Sequence, residues 1–446
     1  MLPLPPKGKL YAGTAEVDLE PELGLVTGDG APIASGQRTP LYVRALVLAN
    51  GHTQLALVTL DELGIDRPDA LRAAQQVEQA TGIAADAVLL ACSHTHVAPS
   101  MLPTLHTYRQ AFNPHWNEET ARRERQWVEK VIGKVVKAVS QAQAACAPAS
   151  LGTVCADLPW LVFNRRRRTK DYGIWTHWMG IPSNQAYGQE GEIDPQLVLL
   201  VVRDAQDEPC CLLWNFTGHN SFSFGEEYSA DLAYTVQAAL DERLGRHLPC
   251  FYLAGCSGNT NYHDYLQPIG LEKATEGITS AIMAIHRRAC TLPEVRLGYR
   301  KMPLQFAQRD VTRNWWKADI AAKMPDWNDY AERELERFRR ELQEEETYTA
   351  DVQVLRLGEC GLVALSAEAF VEFGLMIKAQ SPFDTTLVVT YANGYAGYVA
   401  TRKAFLGGSY EVWPTLNARV GREGGYWMVD KAVQLLRQLD GQGGQP

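Results

Sequence analysis

Two histidines one residue apart offer the first chemistry in this sequence. His94 and His96 lie in ACSHTHVAPS, directly after the apolar run AVLLAC. Alternate residues of an extended chain share a face, so both rings could converge, and Pro99 indicates that the strand has already ended. Neutral imidazole is a good zinc ligand. The spacing alone leaves two interpretations open, metal ligands or ordinary hydrogen-bonded core histidines.

Two further polar residues follow apolar runs elsewhere in the chain. His219 comes after LLWNFTG and Glu368 after LVALSA, which makes a mixed nitrogen and oxygen ligand set available. No spacing rule connects them with His94. Each taken alone is more often structural, because polar side chains at strand ends commonly satisfy backbone groups.

A basic run and a serine motif each have a functional and a structural interpretation. FNRRRRT, residues 163 to 169, is either a solvated loop or the source of a guanidinium that contacts an oxyanion. GCSGNT resembles the GxSxG nucleophile motif only loosely, because Asn259 stands where the motif has its second glycine. A serine hydrolase is therefore disfavoured.

The elements that must position these residues alternate between strands and helices. Hairpins are predicted over 42–61 around Asn50-Gly51, over 196–220 and over 348–368. Helices are predicted over 67–82, 118–146, 230–245 and 271–289, and buried strands over 87–92 and 249–259. The charged segment 327–346 is typical of a solvated surface helix. We expect an α/β fold with a mixed β-sheet core and flanking helices, forming one large catalytic domain over 1–446.

Composition excludes several function classes. The 446 residues include 43 basic and 52 acidic side chains, and the net charge of -9 would repel a phosphate backbone, so no nucleic-acid partner is expected. No apolar run reaches membrane-spanning length, and the proline-rich start does not look like a signal peptide, so no stable membrane insertion is expected. The nine cysteines form no CxxC pair, which is typical of a reduced cytoplasmic protein.

Seven stretches in order along the chain resemble the neutral/alkaline non-lysosomal ceramidase family, in its N-terminal catalytic domain. They are LALVTLD, SHTHVAPS, NRRRR, GHN with SADLAY, AGCSGNTN, ALSAEAF, and NGYAGYVATRKAF with SYE. The resemblance implies one Zn²⁺ ion held by His94, His219, Glu368 and Tyr398. It also implies catalytic roles for His96, Arg165 and Tyr410. Tyr398 is chosen over Tyr395 as the metal ligand because Tyr410 follows it by twelve residues, as in the family, but the loop leaves either tyrosine possible.

The sequence departs from the family in two places. Asn261 stands at the position of the family's serine, which leaves Thr260, Asn261, His263 and Tyr395 as candidate substrate-binding residues. The chain also ends soon after the tyrosine loop, so we expect a short variant without the family's immunoglobulin-like domain and secretion signal. No basic amphipathic helix or apolar anchor for a lipid surface is evident.

The resemblance and the ligand-type residues together predict a zinc-dependent hydrolase that cleaves the amide bond of a small acylated amine. An esterase or lactonase is an alternative, since the same chemistry attacks either carbonyl. A non-catalytic binding protein that keeps the fold is another. Residues 102–117 and the tryptophans at 175, 178, 315 and 316 could line a pocket or simply pack. The sequence does not predict an oligomeric state.

Overall fold

The computed structural model describes residues 8–28, 33–102, 117–170, 173–181, 184–262, 269–307, 309–310, 315–344, 347–415 and 418–441. It confirms the expected mixed α/β fold with a β-sheet core and flanking helices. The three predicted hairpins are present, and their turns span 50–53, 204–208 and 358–359. The candidate residues 102–117 lie almost entirely outside the described residues.

Three principal sheets form the core. The N-terminal sheet has the order Val88–Cys92, Gln54–Leu60, Tyr42–Ala49, Tyr11–Asp18, Ala147–Pro148. The middle sheet has the order Cys250–Ala254, Pro209–Phe216, Gln196–Arg203, Ser150–Asp157. The C-terminal sheet has the order Leu297–Ala307, Thr347–Leu357, Cys360–Leu365, Thr385–Val389.

One structural unit occurs in all three sheets. An antiparallel hairpin is followed by a helix, which returns the chain to a strand parallel to the hairpin's second strand. The units span 42–92, 196–254 and 347–389. Their crossover helices are Arg67–Thr81, Leu232–Leu244 and Val371–Gln380. A parallel strand needs such a crossover, and its coverage by helices explains the continuous apolar sequence of each returning strand.

Local sequence sets the ends of these elements. Asn50 accepts hydrogen bonds from the backbone N–H of His52 and Thr53 through its side chain, which closes the first hairpin turn. The first crossover helix begins with proline in its first turn and ends at Gly82, whose φ of 76° is the left-handed conformation that glycine adopts without strain.

The returning strands of the three units meet at the centre of the molecule. The backbone N–H of Cys92 donates to the carbonyl of Tyr391 at 3.1 Å, and that of Thr390 donates to the carbonyl of Ala254 at 2.9 Å. The Asn215 amide joins the middle and C-terminal sheets by donating to the carbonyl of Val388 at 3.1 Å. The loops that follow these three strands therefore lie next to one another.

Other elements cover this core. Short strand pairs join Gly36–Gln37 to Glu227–Tyr228, Phe163–Asn164 to Thr260–Asn261, and Glu368–Ala369 to Tyr398–Val399, while Arg166–Thr169 pairs with Ile174–Thr176 and Ala186–Gln189. The remaining helices are Glu118–Ala144, Leu271–Ile285, Trp315–Lys323, Asn328–Glu344, Arg402–Gly407 and Gly424–Asp440.

The charged helix is not the plain surface helix that its composition indicates. Trp315–Lys323 and Asn328–Glu344, here called the cap helices, are inserted at the tip of the hairpin formed by Leu297–Ala307 and Thr347–Leu357. Leu335 and Phe338 are buried against Trp413 in a separate aromatic core. Because Glu and Arg occupy most positions of Asn328–Glu344, its composition did not indicate this apolar face.

The expectations for membrane-spanning segments and for the cysteines concern the chain as a whole. Among the described residues, the structure contains no helix with the length and hydropathy required to cross a bilayer. All nine cysteines are free thiols, and five of them are buried. Small buried thiols pack as apolar side chains, as the apolar runs around them indicated.

Candidate functional site

Three imidazole rings from two sheets meet at the centre of the molecule. His94 and His96 follow the strand Val88–Cys92, and His219 follows the strand Pro209–Phe216. His219 Nε2 lies 3.2 Å from His94 Nε2 and 2.9 Å from His96 Nε2. The structure thus brings together three of the sequence-predicted residues, which could hold a metal ion.

The proton positions favour a cation between these rings. His94 Nδ1 lies 2.7 Å from the carbonyl oxygen of Leu63, which can only accept, so Nδ1 carries the proton and Nε2 presents a lone pair to His219. If His219 Nε2 carries a proton, it can donate that proton to His94 Nε2 or to His96 Nε2, but not to both. Hydrogen bonds between the rings therefore do not account for both short distances. Burial lowers the pKa of His94 and of His219 well below the ordinary value, so both stay neutral. Zinc bound tetrahedrally at about 2.0 Å places two nitrogens roughly 3.3 Å apart, close to the spacing found here.

Glu368 adds a carboxylate beside the rings. Its Oε1 lies 3.7 Å from His94 Nε2 and accepts a hydrogen bond from the Tyr395 hydroxyl. The other oxygen, Oε2, is buried and has no hydrogen-bond partner among the described residues. Burial raises the pKa of Glu368, which an adjacent cation would oppose. An unpartnered carboxylate oxygen beside facing imidazole nitrogens fits a bound divalent metal.

Arg165 connects the histidines to the tyrosine loop. Its guanidinium lies 3.2 Å from His219 Nδ1, donates to the Tyr398 hydroxyl at 3.0 Å and donates to Glu411 Oε1 at 3.0 Å. Glu411 also accepts a hydrogen bond at 2.7 Å from Arg166, which is buried beside it. The first two arginines of the basic run are therefore buried, and a solvated loop is the wrong interpretation for them.

A cavity of about 770 Å³ opens over this cluster. Seven sequence-predicted residues line it, namely His96, Arg165, Trp178, His219, Asn261, Tyr398 and Tyr410. The rest of its lining is Arg38, His177, Ser221, Phe222, Ser223, Phe224, Gly270, Leu271 and Trp327. Tyr410 contacts the rings of Tyr398 and Trp178, with centroids 5.5 Å and 4.9 Å away. It also lies 6.1 Å from the ring of Trp327, so these aromatic side chains form one wall of the cavity, here called the aromatic wall.

Other candidates lie elsewhere. The Thr260 hydroxyl donates to the backbone carbonyl of Thr217 at 2.7 Å and does not line the cavity. Tyr395 lies behind Glu368, and His263 is outside the described residues. The buried Ser257 hydroxyl bonds to the Tyr391 hydroxyl at 2.8 Å rather than to a histidine, which gives it no general base.

The four candidate tryptophans lie in different parts of the structure. Trp178 lines the cavity over the histidines, whereas Trp316 is buried in the aromatic core of the cap helices. Trp175 packs at the edge of that core, and Trp315 lines a different surface cavity. Only one of the four could therefore touch a substrate bound over the histidines.

Sequence reasoning missed three residues that shape the site. Tyr391 stacks on His94 with ring centroids 3.6 Å apart, Glu411 holds Arg165, and Trp327 lines the cavity. Glu411 directly follows Tyr410 in SYE, so its position in that motif was an available signal. Trp327 begins a charge-rich segment, which hid it.

Comparison with known proteins gives a likeness in fold. No family model matches the chain, and no curated protein matches its sequence. Two solved enzyme structures match over almost all of this chain. One is a ceramidase complexed with C2, with a TM-score of 0.69, 16% identity, and coverage of 98% of this chain and 76% of that one. The other is the neutral ceramidase from Pseudomonas aeruginosa, with a TM-score of 0.68, 17% identity, and coverage of 99% and 76%.

By its fold, the chain belongs with the solved ceramidase structures. More particularly, the chain has the neutral-ceramidase fold, and the resemblance carried by the seven sequence motifs is confirmed at the level of fold.

Proposed function

We propose that this protein is a zinc-dependent hydrolase that cleaves the amide bond of an acylated amine. The observation that supports it best is the buried cluster of His94, His219 and Glu368, whose facing nitrogens and unpartnered oxygen suit a divalent cation. His219 of this cluster lines the cavity, and the fold is that of solved ceramidases. The nine free thiols favour a reducing compartment, so we place the protein in the cytoplasm.

We assign His94, His219, Glu368 and Tyr398 as the residues that would hold zinc. His94 and His219 are almost fully buried, while His96 is only half-buried and faces the cavity. Zinc bound there would supply Lewis acidity, which would polarise a carbonyl group and activate water near neutral pH. Tyr395 orients the Glu368 carboxylate through its hydrogen bond.

The remaining residues act on the substrate. His96 lines the cavity, and its imidazole transfers a proton to the departing amine. Arg165 keeps the Tyr398 hydroxyl in place, and the Tyr410 hydroxyl is available to stabilise a developing oxyanion. The aromatic wall excludes water from the reacting carbonyl, which strengthens these polar interactions.

Metal analysis of protein purified without chelator tests the proposal directly. We expect about one zinc per chain, and loss of both metal and amide hydrolysis in His94→Ala and Glu368→Gln. His52→Ala is the matched control, because His52 is exposed and lies on a hairpin turn. Full activity in metal-free protein would refute the proposal.

A third histidine variant separates the two possible ligand sets. His96→Ala should keep its zinc and lose turnover if His96 acts on the substrate. Loss of zinc from this variant would instead place His96 among the ligands. Turnover of matched amide and ester substrates by the wild type then decides which bond is cleaved.

A further inference from the structure

The cavity over the histidines has an unbalanced charge. Its lining contains the guanidinium groups of Arg38 and Arg165, and no aspartate or glutamate among the described lining residues. The chain as a whole carries a net charge of -9. A cationic cavity in an acidic protein attracts anionic ligands and repels cationic ones.

Among the described lining residues, Arg38 is the exposed cation that a ligand could reach. Its side chain is 49% exposed, donates to the Ser223 hydroxyl at 3.1 Å and pairs with the Glu227 carboxylate at 2.9 Å. Glu227 is itself 52% exposed, and pairs between exposed side chains contribute little to stability. Arg38 can therefore exchange Glu227 for a ligand carboxylate. Arg165, by contrast, is buried and already has three side-chain partners.

Contacts along the cavity wall connect Arg38 to the reacting centre. Ser223, which binds Arg38, is followed by Phe224, whose ring packs edge-on against His96 with centroids 5.9 Å apart. A second part of the lining is apolar and is formed by Tyr410, Trp178 and Trp327. The same cavity thus offers an aromatic surface and a guanidinium, with His96 adjoining the cationic part.

We infer that the substrate is an acylated amine that also carries a carboxylate, as in an N-acyl amino acid, with the carboxylate bound by Arg38 and the apolar group against the aromatic wall. This inference rests on the proposed amide hydrolysis and adds the chemical class of substrate. Guanidinium binds carboxylate by charge-assisted hydrogen bonds, which a neutral amide of the same size cannot replace.

Two substrates with one acyl group test the inference. N-phenylacetylglycine has a carboxylate, and N-phenylacetylethanolamine has a hydroxyl in its place. For the zinc-loaded wild type we expect the glycine compound to have a KM at least about tenfold lower, with similar kcat. Titration calorimetry of both compounds measures the same preference without requiring turnover.

Variants at one salt bridge should move this preference in opposite directions. Arg38→Gln should raise KM for the glycine compound about tenfold and leave the ethanolamine compound unchanged, and Arg38→Lys should restore part of the loss. Glu227→Gln should lower KM for the glycine compound, because it removes the competing carboxylate. Arg125→Gln is the matched control, since Arg125 is exposed on the helix Glu118–Ala144 and does not line the cavity.

The outcomes separate this inference from the proposed function. If both compounds are cleaved equally well, or if Arg38→Gln affects both alike, the anionic substrate is refuted and amide hydrolysis stands. If neither compound is cleaved, amide hydrolysis loses its support. Calorimetry then still decides whether the cavity prefers the carboxylate and whether Arg38 is responsible.

Discussion

At the scale of single residues, the site is built from strained backbone and buried charge. His94 and Tyr391, whose rings stack, have φ values of 60° and 55°, a conformation that costs a residue other than glycine about 1–3 kcal/mol. The backbone N–H of His94 donates to the carbonyl of Glu62 at 2.9 Å, which helps to hold that conformation. The sequence predicted which histidines to consider and placed them at the end of a strand, but it did not predict the left-handed backbone of His94, because spacing carries no information on this local reversal.

Glu411 should be a positioning residue for Arg165. Burial alone would raise the pKa of Glu411, but Arg165 and Arg166 outweigh it and lower the pKa, so the carboxylate is ionised at neutral pH. Glu411→Gln removes that charge. We expect turnover to fall about ten- to a hundredfold and zinc affinity to fall with it, since Arg165 would no longer hold the proposed zinc ligand Tyr398 in place. Steady-state kinetics and metal analysis of one preparation measure both quantities.

Glu190→Gln provides a matched control for that variant. Glu190 pairs with Arg166, as Glu411 does, but makes no hydrogen bond to Arg165. Both variants should lower the free energy of unfolding, because each removes a buried partner of Arg166. Equal losses of turnover in the two variants would show that Glu411 acts only through stability.

At the scale of elements, periodicity predicted the helices and hairpins well, but it did not show what they pack against. The segment 327–346 is correctly helical over Asn328–Glu344, yet its position beside the cavity depends on contacts with Trp178 and Trp413. Those contacts are remote in sequence, and charged residues occupy most positions of the helix. Tertiary packing therefore had to be observed rather than predicted.

The cap should contribute to substrate binding through Trp327. Its indole lines the cavity and lies 5.9 Å from the Trp178 ring. Trp327→Ala removes one aromatic surface, so we expect KM for a phenylacetyl amide to rise about tenfold, equivalent to ~1.4 kcal/mol, with the zinc content unchanged. Trp315→Ala is the control, because Trp315 begins the first cap helix and lines a different cavity. A change in kcat alone would contradict a binding role.

One crossover helix should respond to pH through His247. This histidine follows the helix Leu232–Leu244 and lies 2.7 Å from Asp241 and 2.5 Å from Glu16 in the N-terminal sheet. Burial lowers its pKa, but the two carboxylates outweigh burial, so the pKa in the folded protein is raised. The contacts of protonated His247 with Asp241 and Glu16 therefore stabilise the fold fully below the unfolded pKa of about 6.5. This stabilisation is lost as pH rises through the pKa of His247 in the folded protein.

Urea denaturation of His247→Gln measures this contribution. The variant should unfold at lower urea than the wild type at pH 5.5 and at the same urea concentration at pH 9. An equal difference at both pH values would indicate lost packing rather than a lost charge pair.

At the scale of the whole molecule, three similar units place their strand ends around one centre. His94 follows the returning strand of the first unit, His219 follows the second hairpin, and Glu368 follows the third. The sequence shows no repeat, since the units share connectivity rather than residues, and only the hairpin and helix patterns hinted at it. The convergence of His94, His219 and Glu368 was implied by family resemblance, because no local pattern encodes the packing of one sheet against another.

A metal held by all three units should stabilise the entire fold rather than one sheet. Zinc at about a thousandfold excess over its Kd adds about 4 kcal/mol to the free energy of unfolding if it binds only the folded state. For a chain of 446 residues this corresponds to a rise in Tm of roughly 4 °C. Calorimetry should show one unfolding transition that moves as a unit on zinc addition, and no such movement in His94→Ala. A zinc-dependent transition that separates from the rest of the unfolding would mean that a single unit holds the ion, and an equal shift in His94→Ala would place the bound zinc elsewhere on the molecule.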